Sequence, residues 1–456
     1  MILLLKSVAD NILSRYLFLQ FSHLFLFSNF SHKQYSKGLI GIKERQSSQR
    51  KLPSFLQLIH LLGKIMSQID FKYSIVFLKV VLYEYSICQQ IKKCYNSFNM
   101  IFANKKIQNS LGIDIGTKVI RVVEISKNKG KITLENYGEV NLDVACKEFF
   151  RSFDKKNLNP AVNNISVAIA GIIEATGIKT KKVVFSLPDF ATFSTTFELP
   201  PMSKKDMVNA IGFEARKYIP LPLSELVLDW QLMNKETLKE NNKVLVMAVP
   251  NIIVEQYKTI AEKSGLELIA LEAEAMALKR ALVKPTDPTT CLLEIGFQST
   301  NINIVDQGFM KMSFSFDMAG KDLTYSLAET LNVPAGEAEE MKKTQGLVDS
   351  GETKTSHILT PILSIVSERT KKVIRDFEAQ ENKKVEKVIL AGGTSMMKGI
   401  KEYFEKSLNQ DEAQPFKVEI GKPFKDIVYP PILEKKMDEI NVTYAIALGE
   451  ALRKFE

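Results

Sequence analysis

Two segments of the sequence, 180 residues apart, combine an acidic residue with a glycine turn. Asp114 is followed by Gly116 and Thr117, and Glu294 is followed by Gly296. A glycine lets the backbone approach an anion closely, and successive N–H groups in such a turn can donate to phosphate oxygens. A nearby carboxylate can hold a divalent cation, directly or through water. The pair predicts a phosphate and metal site built from two similar halves.

Four further residues extend this prediction. Arg121 could neutralise phosphate charge, and Thr300 gives the second segment a hydroxyl that corresponds to Thr117. The pair Gly392-Gly393 follows an apolar strand and precedes a predicted helix, where side-chain-free backbone permits close approach of a purine or a phosphate. Each of these patterns is common by itself, so the prediction depends on their order along the chain.

A charged helix adds one more candidate pair. Glu339 and Lys342 are three residues apart, on one face of a predicted helix over 337–344, where they could meet ribose hydroxyls. The alternative interpretation is a solvent-exposed ion pair. Without the other motifs that alternative would be preferred.

The elements that must position these residues alternate between short strands and helices. Such a mixture, with no long structureless stretch, predicts an α/β chain, and the repeat of the acid-Ile-Gly pattern predicts two similar lobes around a shared cleft. The predicted strands are 110–116, 119–125, 131–140, 183–187, 243–249, 291–296, 301–305 and 385–391. The predicted helices are 204–216, 252–264, 273–282, 323–331, 337–344, 359–379, 396–407 and 441–455.

The net charge of the 456-residue chain is +9, which normally suggests nucleic acid or an anionic membrane as a partner. The charge is confined to residues 1–99, which hold 13 Lys and Arg against 4 Asp and Glu; the rest of the chain has 48 of each sign. The neutral remainder gives no indication of a nucleic-acid partner.

Two interpretations of residues 1–99 remain open. The basic and aromatic content is compatible with a membrane-surface or regulatory extension. We favour the second interpretation, in which the segment is translated upstream sequence and the functional protein begins at Met100, just before the first predicted strand. Neither of the apolar stretches 16–30 and 73–88 is uninterrupted for the roughly 18 residues that a membrane-spanning helix needs.

The order of these motifs resembles that of the actin, Hsp70 and sugar-kinase superfamily. More narrowly, Ser110–Thr117 with Val122–Ile125, followed by Phe213–Pro222 and Leu228–Trp230, is similar to the PilM family, the actin-like cytoplasmic proteins of type IV pilus assembly. The similarity covers about residues 100–455 and does not extend into residues 1–99.

This resemblance implies a two-lobed actin-like fold with a small α/β insertion of the kind found in the division protein FtsA. The first lobe would comprise 100–194 and 269–288 with the C-terminal helix 441–456, the insertion 195–268, and the second lobe 289–440.

The resemblance also implies ATP with Mg²⁺ in the cleft. Asp114 and Glu294 would hold the metal through water, and Glu274 falls where family members with ATPase activity orient the attacking water. Because the family usually has Asp where this chain has Glu294, efficient hydrolysis is not expected, and we expect a slow ATPase at most. The residues that the resemblance implies as nucleotide contacts are Asp114, Gly116, Thr117, Arg121, Gly296, Thr300, Glu339, Lys342, Gly392 and Gly393.

The implied partner is the short cytoplasmic N-terminal peptide of the inner-membrane protein PilN, bound in a groove between the insertion and the first lobe. The apolar segments 197–201, 213–218 and 219–222 could form such a groove, or could simply pack the insertion's own core. The protein would then act at the inner face of the cytoplasmic membrane, in contact with other platform proteins and with possible self-association.

Two alternative functions remain at this point. One is an FtsA-like filament-forming tether, which would carry an amphipathic membrane helix after its C-terminal fold helix. The other is a small-molecule kinase of the same superfamily, which needs a general-base Asp and a polar pocket near the γ-phosphate. For that role the sequence offers no obvious candidate besides Glu274.

Overall fold

The computed structural model describes residues 108–142, 158–189, 192–233, 241–348, 355–410 and 414–456. The expectations for residues 1–99 and for a start at Met100 lie outside the described residues.

The first sheet has the strand order β3-β2-β1-β4-β8. Its three leading strands form an antiparallel meander, and β1, β4 and β8 run parallel. Helices α1 and α3 cover one face, where residues such as Ile165 and Tyr257 pack on Ile113 and Phe185. The elements are β1 (Gln108–Ile115), β2 (Val119–Asn128), β3 (Lys131–Asn141), α1 (Leu158–Thr176), β4 (Lys182–Leu187), α3 (Asn251–Lys263) and β8 (Glu267–Ala273).

The second sheet repeats this arrangement, with the strand order β11-β10-β9-β12-β13. Again the first three strands are antiparallel and the last three parallel. Leu293 of the sheet shares one core with Leu327, Ala338, Leu363 and Phe404, which come from four helices. The elements are β9 (Thr290–Ile295), β10 (Thr300–Asp306), β11 (Phe309–Phe316), α5 (Gly320–Leu331), α6 (Ala335–Thr344), α7 (Thr355–Glu381), β12 (Lys387–Ala391), α8 (Ile400–Asn409) and β13 (Lys417–Ile420).

A third, antiparallel sheet of order β5-β7-β6 is inserted between β4 and α3. It comprises β5 (Phe193–Leu199), β6 (Leu226–Leu232) and β7 (Asn242–Pro250), with helix α2 (Lys204–Ala215) packed against it. The predicted boundary at residue 268 is too late. Both α3 and β8 belong to the first lobe, because β8 pairs in parallel with β4 and Tyr257 of α3 is buried in that lobe's core.

Helices α4 (Glu274–Leu282) and α10 (Ala445–Leu452) cross between the lobes. Each helix packs on the sheet that it does not follow in sequence. Helix α4 follows the first sheet, but its Leu278 is buried with Leu292 of the second sheet. Helix α10 follows the second sheet, but its Leu448 is buried with Val123 of the first sheet. The division at residue 289 therefore does not separate two independently packed lobes.

The chain also returns to the first lobe earlier than predicted. Phe424, Ile427 and Met437 share a core with Val123 and Leu134 of the first sheet, and Leu134 donates a backbone hydrogen bond to Val428. The segment from 423 onward, with helix α9 (Glu434–Ile440), thus packs on the first lobe instead of the second. The reason is the unfilled face of the first sheet, which these apolar residues cover.

The crossing of the two helices requires glycine at one position. A Cβ added to Gly449 would clash with the carbonyl oxygen of Ala277, so a side chain there would force α4 and α10 apart. We expect Gly449→Ala to lower the free energy of unfolding by about 2 kcal/mol or more, as overpacking does, measured by chemical denaturation.

The matched control is Gly171→Ala in helix α1, where an added Cβ meets nothing within 4 Å. Alanine there should stabilise the protein by roughly 0.5–1 kcal/mol through helix propensity. Equal stability of the Gly449→Ala variant and the native protein would contradict a close crossing.

Candidate functional site

A cleft of about 560 Å³ lies between the lobes, within the usual size range of small-molecule sites. The two hairpins β1–β2 and β9–β10, helix α6 and the turn after β12 contribute to its walls. Every site residue predicted from the sequence lines this cleft except Thr300. These lining residues are Asp114, Gly116, Thr117, Arg121, Glu274, Glu294, Gly296, Glu339, Lys342, Gly392 and Gly393.

The two hairpins match in register as well as in sequence. Asp114 lies opposite Arg121 across β1–β2, and Glu294 lies opposite Asn301 across β9–β10. The Ser186 hydroxyl donates to Asp114 Oδ1 at 2.9 Å, and the Asn301 amide donates to Glu294 Oε2 at 3.0 Å. Both carboxylates are therefore oriented by neighbours on their own sheets.

Glycine is required at two of these turns. A Cβ on Gly116 would stand 2.8 Å from the carbonyl oxygen of Val119. Gly392 has φ = 81°, and a Cβ there would stand 2.5 Å from Glu294 Oε1. At Gly393, in contrast, an added Cβ meets no atom within 4 Å, so this residue borders open space in the cleft.

The prediction for Thr300 is wrong. Its side chain is fully buried and donates to the Met318 carbonyl oxygen at 2.6 Å. Successive side chains of a strand point to opposite faces, and Thr300 shares the helix-covered face with Ile302. Its neighbour Asn301 is the residue that turns toward Glu294.

Glu339 and Lys342 form an ion pair in which Lys342 is buried and Glu339 is partly buried, not the solvent-exposed pair of the alternative interpretation. The Lys342 ammonium donates to Glu339, Thr324 Oγ1 and the Gly320 carbonyl oxygen at 2.8–3.0 Å. An ammonium has three donors, and all three are used within the lobe. Lys342 therefore positions Glu339 and the wall of the cleft, and its predicted direct contact with a ribose is not supported.

Glu339 stays charged in this setting. Burial alone would raise the pKa of its carboxyl, but Lys342, Thr324 and Lys118 together lower that pKa to about 2. Because Glu339 Oε1 lies 3.5 Å from the Lys118 ammonium of the first lobe, the ion pair crosses the cleft. The same ammonium lies 4.6 Å from the centre of the Phe297 ring of the second hairpin. Lys118 thus links the two hairpins.

Four carboxylates are crowded where the lobes meet. Burial raises the pKa of Glu294 to about 8 and that of Asp189 to about 6, with mutual repulsion adding to the effect at Glu294. Burial and repulsion by the other three raise the pKa of Glu274 well above its ordinary value. Burial also raises the pKa of Asp114, against the opposing effect of Arg121 and Ser186. Nearby positive charge would stabilise all four as anions.

A cation fits this arrangement only with additional ligands. Within the described part of the chain, no three acidic, His or Cys side chains are arranged to hold a metal ion by themselves. Mg²⁺ commonly keeps several waters and completes its shell with one or two carboxylates and substrate phosphates. The crowded carboxylates of the cleft are compatible with that mode, and the metal contact of Asp114 and Glu294 stays a prediction.

Sequence reasoning missed Asp189, Lys118 and Gly320. Asp189 follows β4, the strand parallel to β1, so its place beside Asp114 depends on sheet order. Lys118 could have been predicted from the sequence, because it directly follows Thr117 in the first glycine turn. Gly320 begins helix α5, and a Cβ there would stand 2.7 Å from Thr394 Oγ1. No motif in the sequence marks it.

A second cavity, of about 280 Å³, lies among the insertion, helix α4 and strand β11. Its walls include Tyr218 and Ile219 from the apolar segments predicted to form a peptide groove. Phe197 and Leu199, from the same prediction, are buried in the insertion's own core. Phe213 is 67% exposed and does not line this cavity. The structure thus divides the predicted groove residues between core and surface.

Residues 112–455 match the family model described as type IV pilus assembly protein PilM. The chain belongs to the PilM family. Its N-terminal residues up to 111 lie outside the match.

Among solved structures, the PilM-family chain is similar to a PilM–PilN type IV pilus biogenesis complex, at 23% identity and a TM-score of 0.65. The match covers 76% of this chain and 98% of that one. An ethanolamine utilization protein EutJ from Carboxydothermus hydrogenoformans follows at 16% identity and a TM-score of 0.46, covering 81% and 98%. MreB5 of Spiroplasma citri bound to ADP matches at 14% identity and a TM-score of 0.43, covering 76% and 96%. The two similar five-stranded sheets and the match to the PilM–PilN complex confirm the expected two-lobed actin-like fold.

None of the helices in the described ranges is long and apolar enough to cross a membrane.

The crowded carboxylates predict a pH dependence of stability without ligand. The pKa of Glu294 is about 8 in the folded protein against 4.5 as the ordinary value. Between these values the folded state holds a proton that the unfolded state has released, so stability falls as pH rises from about 4.5 to 8. We expect Glu294→Gln to reduce the fall in Tm between about pH 5 and pH 8.

The control is Glu329→Gln, which removes an exposed carboxylate from helix α5. It should leave the pH dependence of Tm as in the native protein. A Glu294→Gln variant with the native pH dependence would show that Glu294 titrates like an ordinary carboxyl.

Proposed function

We propose that this PilM-family protein binds ATP with Mg²⁺ in the interlobe cleft and acts as an adaptor of the type IV pilus inner-membrane assembly platform. The observation that carries the nucleotide site is the meeting of two matched acid-glycine hairpins and a glycine turn in one cleft. Membership of the family supports the pilus role.

Different residues of the cleft would contact the phosphates, the adenosine and the metal. The backbone of the turns at Gly116 and Gly296 would hold phosphate oxygens, with Lys118 and Arg121 supplying positive charge. The double-glycine turn, with Gly393 facing open space, would accept the adenosine. Bound Mg²⁺ would neutralise phosphate charge and, through water, the carboxylates of Asp114 and Glu294.

This arrangement favours binding over rapid hydrolysis. A general base must be ionised to accept a proton, and burial beside the other carboxylates raises the pKa of Glu274 well above its ordinary value. Glu274 could become a base only when added positive charge lowers that pKa. A slow ATPase is the most that we propose.

The partner proposed is the cytoplasmic N-terminal peptide of a PilN-like inner-membrane protein, bound in the second cavity. PilM and PilN form a complex in the similar solved structure. The second cavity is open to the surface beside Tyr218, which is half exposed, and several of its lining residues come from the insertion. Contact with the inner membrane and with other platform proteins would follow through this partner.

The nucleotide site is tested with a fluorescent ATP analogue. We expect Gly393→Val to weaken binding by about tenfold or more, because the new side chain enters open space where the nucleotide would lie. Asp114→Ala should also weaken binding in the presence of Mg²⁺, through loss of the metal contact.

Gly392→Val is less informative, because its Cβ would stand 2.5 Å from two groups of the protein itself, so it could act by distorting the turn. Gly171→Ala serves as the control for glycine substitution. If a folded Gly393→Val variant binds the ATP analogue with native affinity, the nucleotide does not occupy this part of the cleft and the proposal is wrong here.

The partner site is tested by pull-down of the full chain with a synthetic N-terminal peptide of the PilN-like protein from the same genome, with and without ATP and Mg²⁺. We expect capture of the protein, and a different yield with nucleotide because α4 borders both cavities. A scrambled peptide is the control. Capture equal to that by the scrambled peptide would contradict the proposed partner.

A further inference from the structure

Asp189 is an unusual residue in the wall of the second cavity. It is the one charged residue among the described residues that line it, and its Oδ2 is buried without a hydrogen-bond partner. Its carboxylate accepts the Ala275 N–H of helix α4, while its own N–H donates to Glu274. An unsatisfied buried carboxylate oxygen is costly, so Asp189 is poised to accept a donor.

The complement of this carboxylate is a positive charge. The three neighbouring acidic residues, Asp114, Glu274 and Glu294, line the cleft, and none of them forms a hydrogen bond with Asp189 Oδ2. Asp189 itself lines the second cavity. A cationic group reaching Asp189 from the second cavity would satisfy Oδ2 and reduce the repulsion among all four carboxylates.

The rest of the cavity wall suits an apolar side chain. Met247, Met276 and Met310 come from β7, α4 and β11, and Ile219 and Leu245 complete the apolar lining. Methionine side chains are flexible and polarisable, so they adapt to differently shaped aliphatic groups. The cavity thus has an adaptable apolar pocket on one side and a single carboxylate on the other.

The backbone at the mouth of the cavity suits an extended peptide. Phe193–Thr195 line the cavity and belong to β5, which lies at one end of the β5-β7-β6 sheet. In the described part of the chain β5 pairs with β7 alone, so its outer edge can pair with an added strand. The hydroxyls of Ser194, Ser313 and Ser315 offer further hydrogen bonds.

From these features we propose that the second cavity recognises a basic group of the partner peptide, paired with Asp189, next to an aliphatic side chain held by the methionines. This inference rests on the proposed function for the identity of the partner. It adds the chemistry that the partner must present: an extended segment with a Lys, Arg or N-terminal ammonium group close to an aliphatic residue.

The test is a double-mutant cycle by fluorescence anisotropy with the full chain. The probes are the labelled N-terminal peptide of the PilN-like protein and a copy with an acetylated N-terminus and every Lys and Arg replaced by Gln. The protein variants are native, Asp189→Asn, and Asp229→Asn as the control. Asp229 is an exposed carboxylate on β6, at the opposite end of the same sheet, that accepts the Trp230 N–H.

Neutralising the peptide should weaken binding to the native protein by about tenfold or more, and Asp189→Asn should weaken binding of the basic peptide similarly. In the Asp189→Asn variant, neutralising the peptide should weaken binding by less than about threefold further, because the basic group of the peptide no longer has a carboxylate to pair with. Asp229→Asn should behave like the native protein. Circular dichroism checks that Asp189→Asn is folded.

The outcomes separate this inference from the function on which it rests. Suppose that the native protein binds the basic peptide, but that the loss of affinity from Asp189→Asn and the loss from neutralising the peptide multiply when combined. The pairing with Asp189 is then wrong, and the partner site stands. If the native protein binds neither peptide at micromolar concentration, the proposed partner fails and the inference fails with it.

Discussion

The relation between the two lobes depends on the close crossing of helices α4 and α10. Gly449 lets α10 lie directly against the Ala277 backbone, and Gly112 on β1 allows an equally close approach of α10 to the first sheet. Each helix is buried against the sheet of the other half. Any change in the angle between the lobes must therefore be accommodated at this crossing, and the width of the cleft depends on it.

The same crossing brings four acidic side chains close together where the lobes meet. The N-terminus of α4 brings Glu274 to the meeting point of the lobes, where β1 and β9 contribute Asp114 and Glu294 and the segment after β4 contributes Asp189. Buried like charges raise one another's pKa values. Shifted pKa values of this kind are common at binding sites. In our proposal the metal approaches from the cleft and the partner's basic group from the second cavity.

How far the sequence could predict this arrangement differs from element to element. The matched hairpins were predictable because Asp-x-Gly and Glu-x-Gly follow apolar strands, and local turn chemistry requires glycine there. The face to which Thr300 points was not predictable from the motif, since a shift of one position along a strand reverses the face. Lys342 was predicted at the cleft, but its partners Thr324 and Gly320 lie on another helix, which only packing brings near.

The sequence by itself determined the duplicated acid-glycine turns, the hairpin strands that carry them and the family, because these depend on local patterns of apolar, acidic and glycine residues. Helix α1 and strands β5, β6, β8, β11 and β13 were not among its predictions. The tertiary structure decided what depends on contacts between distant segments: the exchange of α4 and α10 between the lobes, the return of residues from 423 onward to the first sheet, and the convergence of Asp189 with three other carboxylates. Burial and charge repulsion act through space, so the properties of Asp189 appear only when the chain is folded.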